Sequence, residues 1–224
     1  MAVALGLLYT EGIIMETKMD CVSTATTSFS PRLWQTCRYL ANVERMNVFR
    51  TVCLAAEGRG LDVNSITNLV HLRQPATSTY LRQLAECGLV MGHREKRHLF
   101  YQALPHPGVY GATRLVPILR DWFRQEARVR HDWGNTCPPM PFHLVLPGLW
   151  NELRVLVLKC LAVHGPCSRA DIVSLTHIPD ECVDFHVQVL RDSGLVAETT
   201  QNLFEYLEPA DDIARVFTGL SLAD

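Results

Sequence analysis

Polar side chains with recognisable chemistry are concentrated between residues 73 and 84, in the stretch RQPATSTYLRQL. A glutamine amide can form two hydrogen bonds with adenine, a hydroxyl can contact a base edge or a phosphate, and a guanidinium can bind a phosphate. Leu81 and Leu84 mark the buried face of a predicted helix, so the opposite face carries this chemistry. The alternative is a helix face that is only solvated. The polar residues that this spacing exposes are Gln74, Ser78, Thr79 and Arg82, and Arg73 adds a further cation.

A second group of cations follows in the stretch HREKRHLFYQ, at residues 93–102. Arg94, Lys96 and Arg97 lie between two β-rich runs, which is the pattern of a hairpin with a charged tip. Phosphates and a narrow minor groove both attract arginine. We therefore predict DNA contacts at this tip, with a charged turn that only solvates the hairpin as the alternative.

The elements that must position these residues follow from the apolar spacing. The apolar residues of 33–53 have helical spacing, which predicts one or two helices. The stretch AAEGRG then ends this helical pattern. A short helix is predicted over residues 63–70, and HLRQ forms a turn. The next helix begins near Pro75 and ends at Gly88, before the hairpin. Two helices joined by a tight turn, followed by a hairpin, predict a winged helix-turn-helix that exposes its third helix.

The same apolar pattern returns about a hundred residues later. ATSTYLRQLAECGLV (76–90) and CVDFHVQVLRDSGLV (182–196) align without gaps. Such agreement in order and spacing predicts a tandem repeat of one fold. The expected fold class is mainly α with small β-hairpin wings, arranged as a tandem winged helix-turn-helix. The matched pairs are Ile66 and Ile172, Leu69 and Leu175, Leu72 and Ile178, Leu81 and Val187, Leu84 and Leu190, and Gly88 and Gly194.

Five segments are predicted along the chain. They are a loosely ordered N-terminal extension (1–30), a DNA-binding winged helix-turn-helix (31–105), an association helix (106–131), a Pro-rich linker (132–148) and a second, acidic winged-helix domain (149–224).

Charge divides the two predicted units. Residues 31–105 carry ten Lys/Arg and five Asp/Glu, whereas residues 149–224 carry five and twelve. In the second unit, Asp180, Glu181 and Asp184 begin the third helix, and a carboxylate at that position is repelled by phosphates. We therefore expect only the first unit to bind DNA. The second unit is expected to pack against the first, to pair with another chain, or to sense a ligand.

The first unit resembles the ArsR-type winged-helix repressors over about residues 33–105. LANVERMNVF resembles their opening helix, and LDVNSITNLVHLRQPATSTYLRQLAECGLV resembles their helix-turn-helix. HREKRHLFYQAL resembles their basic wing. The resemblance implies a cytoplasmic, DNA-binding and usually dimeric transcriptional regulator, with a dimerisation helix where residues 110–130 lie.

The resemblance also assigns particular residues. The Ser-Arg-His positions of the family's recognition helix fall on Ser78, Thr79 and Tyr80, so a threonine replaces the family's arginine. Val63-Asn64-Ser65 stands where metal-sensing members have Cys-Val-Cys, so that metal site is absent from the sequence. We predict no metal site and no cofactor.

Other function classes receive no support from the sequence. It contains no phosphate-binding glycine loop, no nucleophile elbow and no paired metal motif, so no enzyme is predicted.

Eight scattered cysteines without a Cys-x-x-Cys pair predict buried, reduced thiols. No apolar run is long enough for a membrane span. A weaker hypothesis is redox or ligand sensing through Cys53 or Cys87, which needs exposed thiols of low pKa.

The expected partners are double-stranded DNA, bound by the first unit, and either a second chain or the second unit, bound through residues 110–130. The homodimer and the intramolecular pseudo-dimer both stay open. The alternative function is a tandem winged-helix protein-interaction module without sequence-specific DNA binding.

Overall fold

The computed structural model describes residues 31–55, 58–129 and 141–223. These residues are mainly helical with two small antiparallel sheets, which confirms the coarse fold class. The predicted N-terminal extension and the first part of the predicted linker lie outside the described residues.

The first half of the molecule runs from residue 31 to residue 129. Its elements are α1 (Pro31–Leu40), α2 (Val43–Leu54), β1 (Leu61–Asp62), α3 (Val63–Val70), α4 (Gln74–Glu86), β2 (Met91–Glu95), β3 (His98–Gln102) and α5 (Tyr110–Val129). β3 lies between β1 and β2 and is antiparallel to both.

The second half runs from residue 141 to residue 223. Its elements are a 3₁₀ turn (Pro141–Leu144), α6 (Leu146–Leu149), α7 (Glu152–His164), α8 (Arg169–Thr176), α9 (Asp180–Asp192), β4 (Val196–Glu198), β5 (Phe204–Tyr206) and α10 (Asp212–Ala223). β4 and β5 pair as an antiparallel hairpin.

The backbone conformation of α3 and α4 recurs in the second half. The offset of 106 positions is the one that separates the matched apolar pairs, such as Ile66 and Ile172. α8 and α9 begin and end 106 positions after α3 and α4. The turn residues agree as well, since His71 and His177 are both left-handed, with φ of 54° and 58°. Gly88 and Gly194, after α4 and α9, have φ of 71° and 69°, a conformation that favours glycine after a helix end.

A chain of aromatic contacts joins the two halves. Phe49 of α2 meets Phe123 of α5 edge to face, with ring centroids 6.1 Å apart. Trp122 lies 5.3 Å from Phe142 of the 3₁₀ turn, and Phe142 stacks on Phe217 of α10 at 5.9 Å. Because all four phenylalanines are fully buried, the halves share one apolar core.

Residues 141–148, which the sequence predicts as part of the Pro-rich linker (132–148), belong together with Leu149 to two short helices. They form the 3₁₀ turn and α6, and Phe142, Leu146 and Leu149 are fully buried. The apolar side chains recur at intervals of three or four residues, so they lie on one side of these short helices. Gly148 permits close approach, since a Cβ there would come within 2.7 Å of the Leu195 side chain.

The predicted association helix is α5, and it packs within its own chain against α2 and α10. The helix continues through Pro117. Proline removes one backbone hydrogen bond from a helix interior. Val116 and Leu119 on either side are fully buried, and their packing holds the helix through that position.

The cysteines that the structure describes are buried and are not joined in disulfides, as predicted. Burial raises the pKa of the Cys53 thiol well above its usual range. Cys87 is 1% exposed. Both thiols therefore lack the exposure that redox sensing requires. The described cysteines are Cys37, Cys53, Cys87, Cys160, Cys167 and Cys182, while Cys21 and Cys137 lie outside the described residues.

Phe142→Ala tests the shared core. The substitution removes the ring between Trp122 and Phe217, and the resulting cavity should lower the free energy of unfolding by about 3–5 kcal/mol. Leu144→Ala is the matched control, because Leu144 is 58% exposed and its loss should change that energy by less than about 0.5 kcal/mol. Urea unfolding measures both values. Equal destabilisation by the two substitutions would contradict the shared core.

Candidate nucleic-acid interface

The turn between α3 and α4 sets the direction of the α4 helix. Asp62 caps α3 by accepting a hydrogen bond from the Ser65 backbone N–H at 2.9 Å. His71 ends α3 in the left-handed conformation, so the chain turns sharply before α4. Ile66 and Leu81 are fully buried between the two helices and α2. One face of α4 therefore packs against the core, and the opposite face is exposed to solvent.

The outer face of α4 carries most of the residues that the sequence predicts. Gln74 donates from Nε2 to Asn64 Oδ1 at 3.2 Å, across the turn. The guanidinium of Arg82 lies 3.9 Å from Glu86, one helical turn away, and both side chains are exposed. The structure brings these side chains together on one surface. Arg73, Gln74, Ser78 and Arg82 are exposed there, and Thr79 is half-buried beside them.

Tyr80 lies apart from that surface. Its hydroxyl donates to Glu44 Oε2 at 2.6 Å, and the Arg45 guanidinium lies 5.3 Å from its ring centroid. The hydrogen bond to Glu44, together with partial burial, raises the pKa of Tyr80. The Tyr80 hydrogen bond therefore joins α4 to α2. The sequence does not indicate this contact, because the two partners are 36 positions apart.

The hairpin of β2 and β3 presents the three predicted cations. Glu95 pairs with His98, which leaves Lys96 and Arg97 as the turn. Lys96 has a φ of 55°, which closes the hairpin tightly. Arg94, Lys96 and Arg97 are all exposed. The tip is therefore a compact positive end on a rigid two-stranded arm.

A cluster of aromatic rings holds the two strands of the hairpin together. The residues predicted to contact DNA do not include it. Phe100 is 6% exposed and stacks with His93 at 5.8 Å, and His98 lies 6.2 Å away. The Arg59 guanidinium lies over the Phe100 ring at 4.8 Å and is 4.0 Å from Glu95. The sequence places two histidines and one phenylalanine in this segment, but no local pattern identifies Arg59 as their partner.

The short strand β1 ties the hairpin to the helices. Leu61 pairs with Tyr101 and Asp62 pairs with Phe100. Asp62 is also the cap of α3, so one residue links the hairpin to the first helix of the turn. A two-residue strand gives no periodic signal, and sequence patterns therefore miss it.

The corresponding helix face of the second half is acidic. Asp180, Glu181 and Asp184 are exposed at the start of α9. Arg169 of α8 lies 2.8 Å from both Asp180 and Asp184 and neutralises part of that charge within the same half. Phe185, which matches Thr79 in the repeat, is 39% exposed. The start of α9 is therefore acidic, and the neighbouring cation, Arg169, is paired with two of its carboxylates.

No protein-family model, curated protein or solved structure matches the chain significantly. Within the described ranges, no group of three or more His, Cys, Asp or Glu side chains is arranged to hold a metal ion. The described helices include none with the length and apolar character that crossing a bilayer requires.

Asp62→Ala tests the cap that positions α3. Losing the cap should lower the free energy of unfolding at pH 7 by about 1 kcal/mol. The hydrogen bond from Ser65 holds the pKa of Asp62 below its usual value, so its contribution exists above the unfolded pKa and disappears as the pH falls through the folded pKa. Urea unfolding at neutral and at acid pH measures this difference.

Asp62→Asn is the matched control, because asparagine caps helices about as well as aspartate and does not titrate. We expect it to keep near wild-type stability at pH 7. A gap between wild type and Asp62→Ala that widens in acid would refute this role for the carboxylate.

Proposed function

We propose that the chain is a tandem winged helix-turn-helix protein that binds double-stranded DNA through its first half and regulates transcription. The observation that carries the proposal is the joint exposure of the polar α4 face and the cationic hairpin tip, both held on one rigid base. The resemblance of residues 33–105 to ArsR-type regulators supports the same function.

In this proposal α4 lies in the major groove. Gln74 and Ser78 contact base edges, while Arg73 and Arg82 bind phosphates on either side. Gln74 and Arg82 already form weak, exposed contacts with Asn64 and Glu86. Because those contacts are solvated, exchanging them for DNA contacts requires little reorganisation. Tyr80 acts as a positioning residue that holds α4 against α2.

The hairpin tip supplies the sequence-independent part of the affinity. Arg94, Lys96 and Arg97 lie along the backbone or enter the minor groove, where they displace condensed counterions. The Phe100 cluster keeps the hairpin at a fixed angle, so less conformational entropy is lost on binding than with a mobile arm. The affinity is expected to fall as the salt concentration rises.

The second half serves as a non-DNA-binding companion of the first. Its exposed acids at the start of α9 are repelled by phosphates, and α9 has Phe185 where α4 has Thr79. The apolar face of α5 meets Phe142 and α10 of the same chain, where a family member would meet a second subunit. We therefore propose an intramolecular pseudo-dimer that binds a single half-site, and a palindromic site selected from random DNA would instead indicate a homodimer.

A protein-interaction module is the second candidate function, and Phe185 is the observation that favours it. An exposed aromatic ring bordered by Asp184 and Glu181 suits a basic, partly apolar protein surface better than it suits DNA. In that case the first half should also lack appreciable affinity for DNA, which the next experiment measures.

Arg94→Ala/Arg97→Ala tests the proposal and leaves Lys96 to close the turn. Affinity falls as salt rises, so the slope of log affinity against log salt is negative. Each lost phosphate contact should reduce the magnitude of that slope by about 1. The two losses should weaken binding by about tenfold to a hundredfold near 0.1 M salt. Fluorescence anisotropy with a labelled random-sequence duplex, over a series of salt concentrations, gives both quantities.

Arg114→Ala/Arg128→Ala is the control, because it removes the same charge from exposed positions on α5. It should leave the affinity and its salt slope nearly unchanged. Equal effects of the two double substitutions would show a general charge effect and not a hairpin contact. No measurable binding by the wild type at low salt would favour the protein-interaction module.

A further inference from the structure

A cleft of about 260 Å³ opens between the end of α2, the end of β3 and the side of α5. We propose that this cleft binds a small organic anion, a carboxylate or a phosphate monoester, between Arg120 and Arg124. The proposal stands apart from DNA binding, since none of the residues assigned to the DNA surface lines the cleft.

The two arginines reach the cleft because of their places on α5. Leu119 and Phe123 are fully buried against the core. Arg120 and Arg124 follow each of them by one position, so they lie one turn apart at the edge of that buried face. Two guanidinium groups one turn apart suit a shared carboxylate or phosphate, because each can donate parallel hydrogen bonds to such an anion.

Arg120 supplies the second observation. Among the described residues, its Nε is one of the few buried side-chain nitrogens with no hydrogen-bond partner. A buried donor without an acceptor is unfavourable, and an arginine most readily gains two parallel hydrogen bonds from a carboxylate or phosphate. Arg120 also lines the cleft, so we propose that its side chain turns toward a bound anion and gains the acceptor that its Nε lacks in the protein.

The Cys53 thiol, which lines the cleft, is exposed to the positive charge of both arginines. Burial raises the pKa of Cys53, and the charges of Arg120 and Arg124 oppose that rise, so both cations act on the wall that Cys53 forms. The thiol is protonated at neutral pH, because the effect of burial is the larger. Cys53 therefore brings no negative charge that would compete with a ligand for the two arginines.

The remaining walls define the ligand. Val52, Ala103 and Leu104 provide an apolar side, and Gly58 leaves open space, because a Cβ there would meet no atom within 4 Å. Gln102 donates its side-chain N–H to the Gly58 carbonyl and closes one end. The volume is below the roughly 300–1,000 Å³ of drug-sized sites, so the ligand is a short-chain acid or a small phosphate ester.

The test titrates the full chain with butyrate and, separately, with inorganic phosphate, at constant ionic strength maintained with chloride. Side-chain N–H resonances of arginine and glutamine in ¹H–¹⁵N spectra report the site directly. We expect a saturable shift of the Arg120 Nε–H and of the Gln102 amide, with butyrate binding more tightly because it also covers the apolar side.

Arg120→Gln/Arg124→Gln should weaken binding at least tenfold, and Arg114→Gln/Arg128→Gln, with the same change in charge on exposed turns of α5, should not. Arg120→Lys keeps the charge and loses the Nε donor, so it should weaken binding even if the double variant does not fold. Shifts that never saturate, equal weakening in both double variants, or a response only to a DNA duplex would overturn the proposal.

Discussion

The contact of Trp122, Phe142 and Phe217 is the interaction on which the rest of the molecule depends. Phe142 lies between the other two rings, and its burial converts two small helical units into one core. Small domains bury too little apolar surface to be very stable alone, so sharing a core adds stability to both. The same contact sets the position of α5, which in turn packs against α2 and forms one wall of the cleft lined by Arg120 and Arg124.

The two halves keep the same local backbone while their surfaces have diverged. His71 and His177 turn the chain in the same way, and the helices on either side have matching bounds. What differs is the outer face, where Ser78 and Arg82 in α4 contrast with Asp184 and Phe185 in α9. Under the proposed function, Coulomb interactions with phosphates favour the α4 face over the α9 face, because the local backbone that carries the two faces is similar. The proposed division of labour therefore depends on surface charge and not on fold.

Local periodicity predicted the helices well, and long-range contacts account for what it missed. Leu81 and Leu84 mark the buried face of α4 in the sequence, and the structure buries both completely. The bond from Tyr80 to Glu44 and the packing of Arg59 on Phe100 join distant segments, so no local pattern contains them. The prolines of residues 132–148 predict a linker, yet residues 141–148 form short helices, and their apolar spacing is the stronger signal. The DNA contacts of α4 and of the hairpin tip stay predictions.

Hydrogen exchange of backbone amides, measured on the full chain with and without a random-sequence DNA duplex at low salt, tests the central claim most directly. Binding through the first half predicts slower exchange in α4 and in the hairpin of β2 and β3, with α9 and the hairpin of β4 and β5 unchanged. Slower exchange in α9, or equal protection of both halves, would contradict the account.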